Sequence, residues 1–166
     1  LVSSERMLTD LLPLIKLDEY ISFDLETTGL NPDVDQITEI SACRFVNGKF
    51  SEEFTSLINP GIPISKNIIA LTGITNNMVE NAPIISDILP DILDFIGTTS
   101  LVGHNIDFDY KFLSKNITST DLTLPKSPLY DTLSLARSFI YFHNSFSLGS
   151  LCDYYGIKIE NAHRAG

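Results

Sequence analysis

The stretch Tyr20-Ile21-Ser22-Phe23-Asp24-Leu25-Glu26-Thr27-Thr28-Gly29 decides the reading of this 166-residue chain. Ile21, Phe23 and Leu25 alternate with Ser22, Asp24 and Glu26, the period of a half-buried strand. Side chains two apart on a strand share a face, with Cα atoms roughly 6.5–7 Å apart. Asp24 and Glu26 are therefore neighbours, and two adjacent carboxylates repel. Burial sharpens that repulsion unless a cation or a proton intervenes. An isolated Asp-x-Glu ordinarily marks nothing more than a solvated strand face. Here the polar turn Thr27-Thr28-Gly29 follows at once, and its backbone N–H groups and hydroxyls can approach a phosphate or sugar. The pair reads as ligands for divalent metal with substrate donors beside them.

Outward from this stretch the chain alternates strands and helices. Gln36 to Val46 reads as a strand with no clean polar face, which suits a central position covered on both sides. Asn47-Gly48 is a two-residue hairpin signal, and Lys49 to Asn59 is the returning strand, closing a three-stranded antiparallel meander. Pro63 to Leu71 predicts a short helix stopped at Thr72-Gly73. A longer helix runs to Ile96, with Ile85, Ile88, Leu89, Ile92, Phe95 and Ile96 on its apolar face and Pro90 expected to bend or split it. Leu101-Val102 is a short buried strand, parallel to the first because a helix crosses over before it. The loop Gly103 to Asp109 is expected to run into a helix from Tyr110 to Lys115. Leu129-Tyr130 is a final short strand, and Asp131 is the N-cap of a helix to Phe139. Ser147 to Tyr155 is a capped helix stopped by Gly156. The fold class is α/β, one mixed sheet with a meander plus parallel strands and helices on both faces. Residues 1–19 form an amphipathic extension, with Leu8, Leu11, Leu12 and Ile15 at helical spacing, and residues 20–166 form one domain.

Composition bounds the function. The chain carries 11 Lys and Arg against 21 Asp and Glu, a formal net charge of −10. That is wrong for gripping long duplex DNA through many phosphates, but two divalent ions would add four positive charges where substrate binds. No run is long and apolar enough for a membrane span and no secretory signal is visible. Cys43 and Cys152 lack metal-ligand spacing and read as free core thiols. The expected setting is cytoplasmic, without membrane contact.

Phe23-Asp24-Leu25-Glu26-Thr27-Thr28-Gly29 resembles the first motif of the DnaQ-like (DEDD) 3′→5′ exonucleases, the proofreading epsilon-subunit type. Gly103-His104-Asn105-Ile106-Asp107-Phe108-Asp109 is similar to that family's second motif, His-Asn-x-x-Phe-Asp. Asn161-Ala162-His163-Arg164-Ala165-Gly166 is similar to the start of the third, where a His is followed by an Asp about five residues later. The chain stops before that position, so the last helix is expected to be incomplete. The resemblance implies a ribonuclease-H-like fold and identifies the branch that uses a His.

By that resemblance Asp24, Glu26 and Asp109 hold two Mg²⁺ or Mn²⁺ ions, and His163 is the general base toward the attacking water. Asp107 then falls at a variable position, an exposed helix-start acid. Thr27, Thr28, Gly29, Leu71, Thr72, His104, Asn105 and Phe108 are the candidate substrate-binding residues, with His104 and Asn105 either lining the site or bracing the loop. The implied activity is release of 5′-monophosphates from a single-stranded DNA 3′ end, in proofreading or repair, with a DNA polymerase or helicase as partner. Two alternatives remain open at this point. One is an exoribonuclease acting on short RNA. The other is a catalytically incomplete module that binds nucleic acid or polymerase.

Overall fold

The computed structural model describes residues 17–118, 120–141 and 144–157. The N-terminal amphipathic pattern up to residue 16 and the third motif with His163 lie outside them.

The first strand, β1 (Glu19–Thr27), buries Ile21, Phe23 and Leu25, while Ser22 and Asp24 face out and Glu26 is half-buried. It pairs antiparallel with β2 (Ile37–Val46), which pairs antiparallel with β3 (Lys49–Leu57). Asn47 and Gly48 both take positive φ, 52° and 72°, as the tight hairpin turn requires. β2 is buried on both sides from Ile37 to Ala42, Thr38, Glu39 and Ser41 included. That explains why its sequence shows no clean polar face.

Three helices follow, α1 (Lys66–Thr72), α2 (Asn76–Val79) and α3 (Ile85–Ile96). α1 starts at Ser65, whose hydroxyl accepts from Ile68 N, and stops at Gly73 with φ 74°. α2 escaped the sequence reading because four residues show no helical period. Its Asn76 side chain bonds both the N–H and the carbonyl of Ile64. Ile64, Ile74 and Val79 thereby close a small core of their own. Of the two outcomes expected at Pro90, the split does not occur, since α3 runs unbroken from Ile85 to Ile96. Pro90 and Ser86 are exposed, so the Ser86 carbonyl deprived of a helical partner is left facing water and the lost bond costs little.

β4 (Ser100–Gly103) lies parallel to β1 on the side away from β2. α4 (Ile106–Ile117) follows, and β5 (Leu129–Asp131) pairs parallel with β4. α5 (Thr132–Phe139) and α6 (Leu148–Tyr155) complete the described chain. The sheet order is β3-β2-β1-β4-β5, the expected meander joined to two parallel strands. α3 and α4 pack on one face, where Leu89, Ile92, Ile96, Phe112 and Leu113 meet Ile21, Phe23, Ile40 and Leu101 in the main core. Cys43 and Cys152 are free thiols, half-buried rather than in the core. Among the described residues, no helix is long and apolar enough to cross a membrane.

Candidate active site

The sheet changes direction at β1, since the chain leaves it for β2 on one side and returns to β4 on the other. Crevices at the carboxyl ends of strands at such a switch point are the usual ligand sites of α/β sheets. β4 accompanies β1 only from Tyr20 to Ser22, so farther along the backbone of β1 is open on that side. Gly103 ends β4 so close to β1 that a Cβ there would lie 2.9 Å from the Phe23 carbonyl oxygen. Only glycine allows this approach.

The chain then turns through Asn105, which takes a left-handed conformation with φ 68°, one that asparagine tolerates. α4 therefore begins at Ile106 and not at Tyr110 as the sequence predicted. Asp107 and Asp109 both fall in its first turn, where the helix dipole favours acids. Two residues apart on a helix they point in different directions, Asp107 outward and Asp109 inward with 3% exposure. Asp109 Oδ1 accepts from Leu25 N at 3.0 Å. That bond caps the open edge of β1 at the residue between Asp24 and Glu26, so Asp109 comes near enough to the pair for the charges to interact.

Their electrostatics agree with that crowding. Asp24 reaches solvent yet loses much of its hydration, and this together with the charge of Glu39 raises its pKa to about 6. Burial, then Asp24, then Glu39 raise Glu26 to about 7. Burial and the charge of Asp24 push Asp109 to about 8, against the opposing hydrogen bond from Leu25. Such a set of hard oxygen donors suits Mg²⁺ or Mn²⁺ chemistry better than thiolate-bound zinc. Among the described residues no three candidate ligands are drawn together into a ready cage. Glu39 went unmarked in the sequence reading. It stands opposite Glu26 across the β1–β2 pair, a register that the sequence does not display.

The loop after β1 is tightly built. Thr27 Oγ1 donates to the Gly29 carbonyl at 2.6 Å, Thr28 N donates to Gln36 O at 2.8 Å, and Gln36 N donates to Thr28 Oγ1 at 3.0 Å. Asp35 accepts from Asn31 N and from the Thr28 hydroxyl. A Cβ on Gly29 would lie 2.4 Å from that carboxylate. His104 Nε2–H donates to the Phe146 carbonyl at 2.9 Å and Nδ1 meets the Thr132 hydroxyl at 3.1 Å, so both ring nitrogens brace the turn. Asn105 is exposed, but its N–H is held by Asp131 Oδ1 at 2.7 Å. Phe108 packs on Phe112 with centroids 5.0 Å apart. Thr72 is buried, its hydroxyl donating to Ile68 O and accepting from Ile74 N, while Leu71 is 55% exposed. Among the described residues, a groove of about 350 Å³ between α5 and α6 is lined by apolar side chains apart from Thr132, Tyr155 and Cys152, with no carboxylate. It does not fit hydrolytic chemistry.

Residues 21–166 match the RNase_T family model, described as Exonuclease. The chain belongs to this exonuclease family, which is DnaQ-like and depends on divalent metal. Among curated relatives, the PolC-type DNA polymerase III of Clostridium perfringens is 39% identical over 148 residues. The match takes in 89% of this chain and 10% of that protein. The PolC-type polymerase of Bacillus subtilis is 36% identical over 153 residues, 92% of this chain and 11% of the relative. The chain thus spans about a tenth of the length of these relatives. Among solved structures, exonuclease X in complex with 5′-overhanging duplex DNA superposes with a TM-score of 0.67 at 26% identity. It covers 85% of this chain and 75% of that one. An exonuclease I structure with an inhibitor reaches a TM-score of 0.76 at 18% identity over 90% of this chain and 39% of that one, a likeness of fold. The fold is the ribonuclease-H-like one.

Proposed function

We propose that this chain is a 3′→5′ DNA exonuclease domain that proofreads for a PolC-type DNA polymerase, shortening single-stranded 3′ ends to nucleoside 5′-monophosphates in the cytoplasm. The observation that carries the reading is the hydrogen bond that seats Asp109 on Leu25 N, between Asp24 and Glu26 at the switch point. Asp24 and Glu26 from β1 and Asp109 from α4 would hold two Mg²⁺ or Mn²⁺ ions. When bound, such ions polarise the scissile phosphate and stabilise the attacking and leaving oxygens of an in-line displacement.

His163 is the base that takes the proton from the attacking water, a role to which a near-neutral imidazole is suited. Gly29, Leu71 and Asn105 are the substrate-binding candidates left to meet the terminal nucleotides. Thr27, Thr28, Thr72, His104 and Phe108 have their side chains engaged within the protein and shape the positions of the first group. Residues 20–166 are the domain and residues 1–19 its extension.

A 5′-labelled single-stranded DNA incubated with Mg²⁺ should give a ladder that shortens from the 3′ end, and EDTA or Asp24→Ala should abolish it. A matched RNA run alongside should shorten more slowly. Loss from the 5′ end, or a ladder that persists in Asp24→Ala, would overturn the reading.

A further inference from the structure

Glu39 is the acid of this crevice that the exonuclease reading leaves without a task. It is 2% exposed and faces Glu26 in direct register across the β1–β2 pair. Directly opposed residues in an antiparallel pair have Cβ atoms roughly 4.5–5.5 Å apart, and like charges placed so are destabilising. The two preceding pairs are different in kind, with Ser22 opposite Cys43 and Asp24 opposite Ser41. Small residues thus leave room beside Asp24, while a long acid stands against Glu26. The pair is followed at once by a register shift between Glu26 and Thr27 that puts an extra residue into β2 at Thr38. Bulges of this kind re-aim neighbouring side chains and recur beside active sites.

Glu39 adds like charge to the β1 acids, a cost that a nearby cation lowers. Its field reaches both β1 acids, whose raised pKa values owe part of their shift to it. The ion itself must sit where substrate can reach it, on the side to which Asp24 and Glu26 open, whereas Glu39, beside Glu26 in the sheet, is 2% exposed.

We propose that Glu39 is a positioning residue of the divalent-metal site, a fourth carboxylate beside Glu26 whose charge turns the Glu26 carboxylate toward the crevice and tightens ion binding without ligating. The inference rests on the exonuclease reading for the presence of a divalent site, but its test does not depend on turnover.

The test compares the full chain with Glu39→Gln, which keeps the shape and removes the charge, and with Glu39→Asp, which keeps the charge. Mn²⁺ affinity is read by calorimetry and the melting temperature is read in EDTA. Glu39→Gln should weaken Mn²⁺ binding about tenfold or more, within the range set by lost supporting groups around metal ligands, while the variant stays folded in EDTA. Glu39→Asp should recover most of the affinity. In nuclease assays the Glu39→Gln defect should be large at limiting Mn²⁺ and small at saturation.

A merely structural role would leave Mn²⁺ affinity intact in the folded variant and would not be rescued selectively by charge. Unchanged Mn²⁺ affinity in a folded Glu39→Gln protein overturns the assignment, as does a wild-type chain that binds no Mn²⁺. A wild-type chain that binds Mn²⁺ yet degrades no DNA removes the exonuclease reading, and a tenfold loss of affinity in Glu39→Gln would still support Glu39.

Discussion

At the scale of the residue, the three acids make the metal-free protein sensitive to pH. Asp24, Glu26 and Asp109 have folded pKa values of about 6, 7 and 8, above their ordinary carboxylate values, and burial is the leading cause in each. The folded state therefore binds more protons than the unfolded state between about pH 4 and pH 8, and stability falls as pH rises through that window. It is fully present below the unfolded values and is lost as pH passes the folded ones. The melting temperature in EDTA should drop from pH 4.5 to pH 8.5, and Asp24→Asn should flatten the slope. Added Mn²⁺ should restore most at the alkaline end, where the carboxylates are charged. A slope in Asp24→Asn equal to that of the wild type would contradict the coupling.

The two acids of α4 can be separated at the same scale. Asp109→Asn can still accept from Leu25 N but loses its charge, and the rate should fall by about 10²-fold or more. Asp107→Asn lies on the exposed side of the helix and should change stability and rate little. Equal losses in kinetics on a single-stranded substrate would show that the wrong acid has been placed at the site.

At the scale of the element, one carboxylate ties two helices together. Asp131 caps α5 by accepting from Leu133 N and Ser134 N, and it also accepts from Asn105 N at the start of α4. Burial alone would raise its pKa, but hydrogen bonds from Ser134, Asn105 and Leu133 outweigh it and hold the group below its usual range. Asp131→Ala removes both the cap and the tether. A lost N-cap costs about 0.5–2 kcal/mol, and urea unfolding should show a loss of that size. The rate should fall as well, because the Asn105 turn aims Asp109. Asp131→Asn, which can still accept from the backbone, should recover much of both. If Asp131→Ala loses stability but keeps the full rate, α4 is held without this tether.

At the scale of the molecule, charge decides how substrate is captured. With 21 acids against 11 bases, the protein should hold single-stranded DNA poorly in EDTA, since few phosphate contacts are available to release counterions. Ca²⁺, a hard cation that suits the same oxygen donors, should raise affinity for a short single strand at least tenfold, read by fluorescence anisotropy. Affinity in EDTA equal to that in Ca²⁺ would mean that the capture surface lies away from the acids.

The local features of the fold were legible because they reside in short stretches of chain. The alternation Ile21, Phe23, Leu25, the Asn47-Gly48 turn, and the caps at Asp131, Ser147 and Gly156 each depend on neighbours a few residues away. Asp24 and Glu26 were legible as a pair for the same reason, and resemblance to a family singled out Asp109 over Asp107. Only the tertiary structure decided that Asp109 bonds the N–H of Leu25, 84 residues away, and that Glu39 faces Glu26 across two strands. It also decided that both nitrogens of His104 are spent on Thr132 and Phe146, and that the solvent-facing position of Pro90 lets its helix continue. These outcomes depend on strand register, on a bulge and on close approach at Gly103. Sequence periodicity reports which face a residue takes, but not which distant residue stands opposite it.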